Sequence, residues 1–371
     1  MEPKCYAPYL GVFYRTNNNR VGPCCQYKTT VNPNEYDFQN VIKDLEQNTE
    51  NENCSTCWER EKYGKTTLRH SFNNYRKSFA EDWDGKSFMP VYADVRTSNF
   101  CNLQCNMCSP LDSSKIESFI KQNPTAEKYF KSITSNYQNK DVNLPIADLA
   151  KLRVLKVAGG EPTIDPQCIK FLDDFINQHD TSNVELWLTT NATKMIPFLK
   201  KYKKHFKRLC VMLSIDATGP ILEFIRYPAK WSVIEKNIDI AIKENLYDDL
   251  NVNIVVQPYN LLTIRNWIGY FSEFRKKVPR TKIVFLECSN PKHFSLKALT
   301  TKAKNFLLNE ITELQDIYPN LEDKFSELIK MINKAKFDPQ CQTTLIEYTD
   351  TISNIRNMNA WNIDTAFKYI K

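Results

Sequence analysis

Val91-Tyr92-Ala93-Asp94-Val95-Arg96 runs through Thr97-Ser98-Asn99-Phe100 into Cys101-Asn102-Leu103-Gln104-Cys105-Asn106-Met107-Cys108. A strand-like run thus opens onto a polar loop with three cysteines in C-x3-C-x2-C spacing. Three thiolates are one fewer than an iron–sulfur cube takes, and a [4Fe–4S] cluster held this way keeps one iron open to a substrate or cofactor. A zinc knuckle short of a ligand, or three buried thiols, would use the same residues. Three cysteines in eight residues of a polar loop rarely arise from packing alone.

Downstream, short β-rich runs alternate with helical ones. Strands are expected at 91–96, 152–157, 184–189, 209–213, 252–256 and 282–286. Helical periodicity fills the gaps at 169–177, 196–205, 233–245 and 264–276. That alternation predicts parallel βαβ units. Six units do not complete an eight-stranded barrel, so the expected class is α/β, a partial (β/α)6 TIM-like barrel. In barrels of this kind the reactive groups gather at the C-terminal strand ends. The cysteine loop, Gly159-Gly160-Glu161-Pro162, Asn191, Ser214-Ile215-Asp216 and Gln257 all follow expected strands.

The flanks differ. Beyond residue 291 there are no strand signals, and 299–314, 321–332, 346–358 and 361–370 read as helices. The stretch from Ser109 to Pro145 is polar and linker-like, with one crossover helix at 114–120. Residues 1–60 are rich in Asn and Cys, and 10–14 with 20–22 read as a hairpin turning at Asn17-Asn18-Asn19. Cys5, Cys24, Cys25, Cys54 and Cys57 fall in this segment, with Cys54 and Cys57 in C-x2-C spacing. A small, loop-rich segment with paired cysteines usually needs a metal to hold it. The organisation expected is therefore 1–75 as a cysteine-rich domain, 88–290 as the barrel and 291–371 as a helical extension.

Composition agrees with a metal-binding chain. The 371 residues are 42% hydrophobic, enough for a sizeable core, and length alone suggests about two or three domains. Twelve cysteines are many for a reducing compartment and too few for a disulfide miniprotein. The four histidines form no H-x3-H or H-E-x-x-H pattern, which argues against zinc hydrolase chemistry. No apolar signal core or bilayer-length apolar stretch is seen, so a cytoplasmic, membrane-free protein is expected. The net charge of +7 is modest. The basic run Lys200-Lys201-Tyr202-Lys203-Lys204 reads as the solvated face of a barrel helix, and no nucleic-acid partner is expected. Cys168 and Cys210 read as buried free thiols.

Two glycines at 159 and 160 let a backbone approach a ligand closely, and Glu161 supplies an acceptor for an ammonium. One βα unit after the three-cysteine loop, this run resembles the GGEP motif of the radical S-adenosylmethionine (SAM) superfamily. The superfamily usually carries an aromatic where Met107 stands, and a thioether covers the same apolar surface. The resemblance implies that Cys101, Cys105 and Cys108 hold a [4Fe–4S] cluster whose open iron chelates SAM. It implies further that Met107 lies by the adenine and that Gly159, Gly160 and Glu161 take the amino group. Asn191, Ser214 and Asp216 would contact the ribose and methionyl carboxylate, with helix capping as the alternative role. Arg226 would clamp the carboxylate. Ser214-Ile215-Asp216 with Ile225-Arg226-Tyr227-Pro228 and Trp231 is close to a subfamily of bacterial and phage genomes.

The N-terminal cysteines resemble a SPASM or twitch domain, although such domains usually follow the barrel. The resemblance implies one auxiliary [4Fe–4S] cluster on Cys5, Cys24, Cys54 and Cys57, with Cys25 able to replace Cys24. A structural zinc site would use the same thiols. The implied chemistry is reductive cleavage of SAM to a 5′-deoxyadenosyl radical that takes a hydrogen atom from a substrate. The substrate expected is a peptide or protein, with a nucleotide or sugar as the alternative, and the reductant a flavodoxin or ferredoxin. The reading of another class is a non-catalytic zinc or iron–sulfur module associated with nucleic acid.

Overall fold

The computed structural model describes residues 5–16, 19–30, 38–47, 49–62, 66–79, 83–130 and 151–371. The fold is mixed α/β with an eight-stranded, mostly parallel sheet and a helical C-terminal region, the class expected from the alternation. Asn17, Asn18 and the 131–145 part of the linker-like stretch lie outside the described residues. The strands are β1 (Gly11–Arg15), β2 (Arg20–Gly22), β3 (Tyr92–Arg96), β4 (Val154–Val157), β5 (Glu185–Thr190), β6 (Arg208–Ser214), β7 (Asp249–Val256) and β8 (Ile283–Glu287). All six expected barrel strands are present as β3 to β8.

The chain divides into two compact units, Met1–Asn99 with Ser135–Thr189 and Lys200–Leu209, and Phe100–Thr134 with Thr190–Leu199 and Cys210–Lys371. In the first unit the hairpin does not stand apart from the barrel strands. β1 pairs antiparallel with β2 on one side and parallel with β3 on the other, Gly11 opposite Tyr92 and Arg15 opposite Arg96. β3 to β5 continue in parallel, with Asp94 opposite Lys156 and Lys156 opposite Trp187. The core here is largely aromatic: Tyr6, Tyr9, Phe72, Trp83 and Tyr92 pack with Leu10, Val91 and Val154. Phe72 comes from a helix at Leu68–Phe79 that the periodicity did not reveal.

In the second unit β6, β7 and β8 pair in parallel. Burial alternates strictly along β7, where Leu250, Val252, Ile254 and Val256 are buried and the residues between them half-buried. Cys210 shares such a half-buried position on β6 and lies 3.5 Å from Asp249 Oδ2, so it is not the buried thiol expected. The C-terminal region adds the helices Thr301–Ile317, Glu322–Lys334 and Pro339–Ile355. The last begins seven residues before the expected one because Asp338 caps it, accepting from Gln340 N at 3.0 Å ahead of Pro339.

Candidate functional site

The three-cysteine loop is built into the second unit from both ends. Ser113 caps the helix Ser114–Gln122, accepting from Ile116 N at 3.2 Å, and its hydroxyl donates to Leu103 O at 2.7 Å. Cys101 N donates to Ser114 Oγ at 3.2 Å. In the middle of the loop, Gln104 N donates to Tyr227 O at 2.6 Å and Asn106 N to Ile225 O at 2.8 Å. The loop is thereby laid along the segment that carries Arg226.

Arg226 and Asp216 meet each other. Arg226 Nε and Nη2 donate to the two Asp216 oxygens at 2.8 and 3.1 Å, and Asp216 Oδ1 also accepts from Val255 N at 2.8 Å. Asp216 is fully buried. Burial works against the Arg226 charge, and Asp216 more than restores it. Arg226 Nη1 reaches Cys105 Sγ at 3.8 Å. A guanidinium N–H aimed at a sulfur suits a thiolate, the form in which cysteine ligates iron. Asn191 is also drawn to the loop, its Nδ2 donating to Asn102 Oδ1 at 3.0 Å while its Oδ1 accepts from Thr193 N at 3.0 Å. The local turn at Asn191 is therefore present, together with a tie to the cysteine loop. Ser214 ends β6 half-buried, and Met107 is half-buried in the loop.

Cys101 and Cys105 are buried and Cys108 half-buried. Burial, then Asp112, Cys105 and Cys101, pushes the Cys108 thiol well up. Burial likewise raises Cys105, and Arg226 opposes it. Crowded thiols that resist ionisation alone become good ligands once a cation supplies the opposite charge.

In the first unit Gly159 and Gly160 turn with φ +80° and +46°. A Cβ on Gly159 would lie 2.9 Å from Arg96 Cβ, so both conformation and space call for glycine there. Glu161 is 1% exposed, and its Oε1 accepts from Thr163 Oγ1 at 2.6 Å. Asp165 closes this loop: it caps the helix Pro166–Gln178 and accepts from Ser98 Oγ at 2.8 Å.

The same unit gathers the other cysteines. Cys5, Cys24, Cys54 and Cys57 line one pocket, walled by Val41, Leu45, Trp58 and Phe72, with Arg69 at its side. Burial pushes the Cys24 thiol well up, and Cys25, Cys5 and Cys57 add to it. Burial pushes Cys5 up to about 12, with Cys54 and Cys57 adding to it, and Cys54 up to about 11, with Cys57 adding. Ala7 N donates to Cys5 Sγ at 3.4 Å. Cys25 points elsewhere: apart from burial, its neighbours are Asp94, Lys156 and Arg96. Among the described residues no three His, Cys, Asp or Glu side chains group closely enough to hold a single metal ion.

Several residues that touch the cysteine loop carried no sequence signal. Tyr348, on the helix Pro339–Ile355, donates to Asn106 Oδ1 at 2.7 Å. Arg356 donates to Gln104 O and Phe224 O, each at 3.3 Å, with its guanidinium 4.2 Å from the centre of the Tyr227 ring. They stand more than 240 positions from the loop, a separation no local pattern records.

Residues 95–268 match the family model of the Radical SAM superfamily. No curated protein matches the chain. Among solved structures, native anSMEcpe with bound AdoMet and Cp18Cys peptide is similar at 20% identity, over 61% of this chain and 61% of that one, with a TM-score of 0.40. Streptococcus suis SuiB bound to S-adenosylmethionine is similar at 13% identity over 82% and 67%, with a TM-score of 0.37. SuiB bound to precursor peptide SuiA is similar at 13% identity over 95% and 71%, with a TM-score of 0.35. The chain thus spans about 61% of the length of anSMEcpe. No helix among the described residues is long and apolar enough to cross a membrane. The segment that matches the Radical SAM superfamily, residues 95–268, contains the three-cysteine loop, the Gly159-Gly160 turn, Asn191, Ser214 and the Asp216–Arg226 pair.

Proposed function

We propose that this protein is a radical SAM enzyme acting on a peptide or protein. The observation that carries the reading is the C-x3-C-x2-C loop following β3 inside the segment that matches the superfamily. Cys101, Cys105 and Cys108 are assigned to a [4Fe–4S] cluster. The donor set fits it: three thiols on one loop, with an arginine N–H directed at Cys105 sulfur. When bound, the cluster and SAM supply the chemistry, in which one electron cleaves the S–C5′ bond, methionine leaves and a 5′-deoxyadenosyl radical takes a hydrogen atom from the substrate.

The chain's own residues bind and orient. Gly159 and Gly160 bring backbone close to the ligand, and Glu161 accepts from its ammonium while Thr163 steadies the carboxylate. Asn191 and Ser214 are assigned to the ribose, with Met107 at the adenine. Asp216 holds Arg226, whose Nη1 remains directed towards Cys105 and is assigned to the methionyl carboxylate. Cys5, Cys24, Cys54 and Cys57 are assigned to an auxiliary [4Fe–4S] cluster of twitch type, and a flavodoxin or ferredoxin to the supply of electrons.

The test is direct. Anaerobically reconstituted protein should be brown, contain iron, and release 5′-deoxyadenosine from SAM with dithionite. Cys105→Ala should abolish that release. A colourless, zinc-loaded protein, or release that survives Cys105→Ala, refutes the assignment.

A further inference from the structure

Arg356 is a cation without a carboxylate. Its nitrogens contact two carbonyl oxygens, Gln104 O and Phe224 O, and its face rests on Tyr227. Its Nε is sealed from solvent and has no hydrogen-bond partner. No ion pair joins it to any acidic group among the described residues, whereas Arg226 is already matched by Asp216. Burial pulls the Arg356 pKa down, and the phenols of Tyr348, Tyr227 and Tyr259 and the Cys105 thiol oppose it. An arginine stays charged even so. The residue is half-buried, but its Nε is a buried donor left unmet, which is costly unless an anion stands opposite.

The anion is supplied when the loop is loaded. Three thiolates leave a bound [4Fe–4S] cluster net negative, and reduction adds one more electron. The Arg356 guanidinium braces the peptide next to Cys105 and attracts that thiolate electrostatically. The Asp112 carboxylate, which bears on Cys108, acts in the opposite sense. Net charge and hydrogen bonding around the sulfurs are what set the potential of such clusters.

We infer that Arg356, at the end of the C-terminal helix, is a positioning residue that balances the charge of the core cluster and raises its reduction potential. This rests on the radical SAM reading above. The one-electron step it favours takes an electron from an external low-potential donor to the cluster. No bond in the protein forms or breaks.

The experiment is a dithionite titration of the full-length, reconstituted protein, followed by electron paramagnetic resonance. The signal that changes on adding SAM identifies the core cluster. Arg356→Gln, which removes the charge, should make that cluster about tenfold harder to reduce, a downward shift of about 59 mV for one electron. Arg356→Lys, which keeps charge but loses the fork, should stay near wild type. Loss of core iron in Arg356→Gln, with Arg356→Lys loaded at the wild-type potential, supports the same charge requirement. Unchanged potentials in both variants, equal downward shifts in both, or iron loss in both overturn the inference. A wild-type protein with no SAM-responsive signal instead overturns the underlying assignment.

Discussion

His293 shows what burial does to a single side chain. The residue is 6% exposed, its Nε2 has no hydrogen-bond partner, and Tyr129, Phe294 and Tyr348 surround it with ring centroids 4.2 to 6.1 Å away. Burial pulls its pKa from 6.5 to about 4. The unfolded imidazole therefore binds a proton at a higher pH than the folded one. Between those values the unfolded state holds more protons, so stability is complete above about pH 6.5 and falls as the pH drops towards 4. At pH 5 the loss from this residue is about 2 kcal/mol, and over the full window about 3 kcal/mol. His293→Phe removes that loss. The stability difference between variant and wild type should shift by about 2 kcal/mol in the variant's favour from pH 8 to pH 5, read by denaturant unfolding. An equal difference at both pH values refutes it. Little at this scale was legible in advance. The types of Asp216 and Arg226 pointed to polar recognition, but their mutual pairing depends on a turn of chain between them that only the folded backbone supplies.

Among elements, β3 to β8 were readable because β-branched runs alternate with helices over distances where periodicity is a strong signal. The hairpin was readable as well, but its partner was not. β1 joins β3 in parallel because Met89 N donates to Tyr9 O and Val91 N to Leu10 O, each at 2.9 Å, which aligns two segments some 80 residues apart. No local pattern encodes that pairing. Gly11, the first residue of β1, makes it possible: a Cβ there would lie 2.5 Å from the Phe72 ring and 2.6 Å from Pro23 O. Gly11→Ala must therefore displace a fully buried ring or the backbone, at about 1–3 kcal/mol. The expected result is a lower melting temperature, with hydrogen exchange quickened first at Val12, Phe13 and Tyr14. Unchanged exchange in these amides would show that the contact is relieved without cost.

For the molecule as a whole, the two cysteine sets fall in different compact units. Cys5, Cys24, Cys54 and Cys57 lie in the first, and Cys101, Cys105 and Cys108 in the second. The two sets also differ in setting. The first lines an apolar pocket beside Trp58 and Phe72, whereas the second sits on a loop tied to Arg226, Asn191 and Arg356. Under the proposed assignments, metal in the first set would tie Cys54 and Cys57 to Cys5 and Cys24, which flank the β1–β2 hairpin, and metal in the second would meet the nucleotide. Loss of one should then spare the other. Cys54→Ala with Cys57→Ala removes two of the four thiols in the first pocket. The protein should lose about half its iron, one of two proposed clusters, while the second set still supports SAM cleavage uncoupled from substrate. Iron per chain and 5′-deoxyadenosine release, measured together, decide the matter. Full iron content would remove the first set from cluster binding, and a simultaneous loss of all iron would show that the two sets load as one.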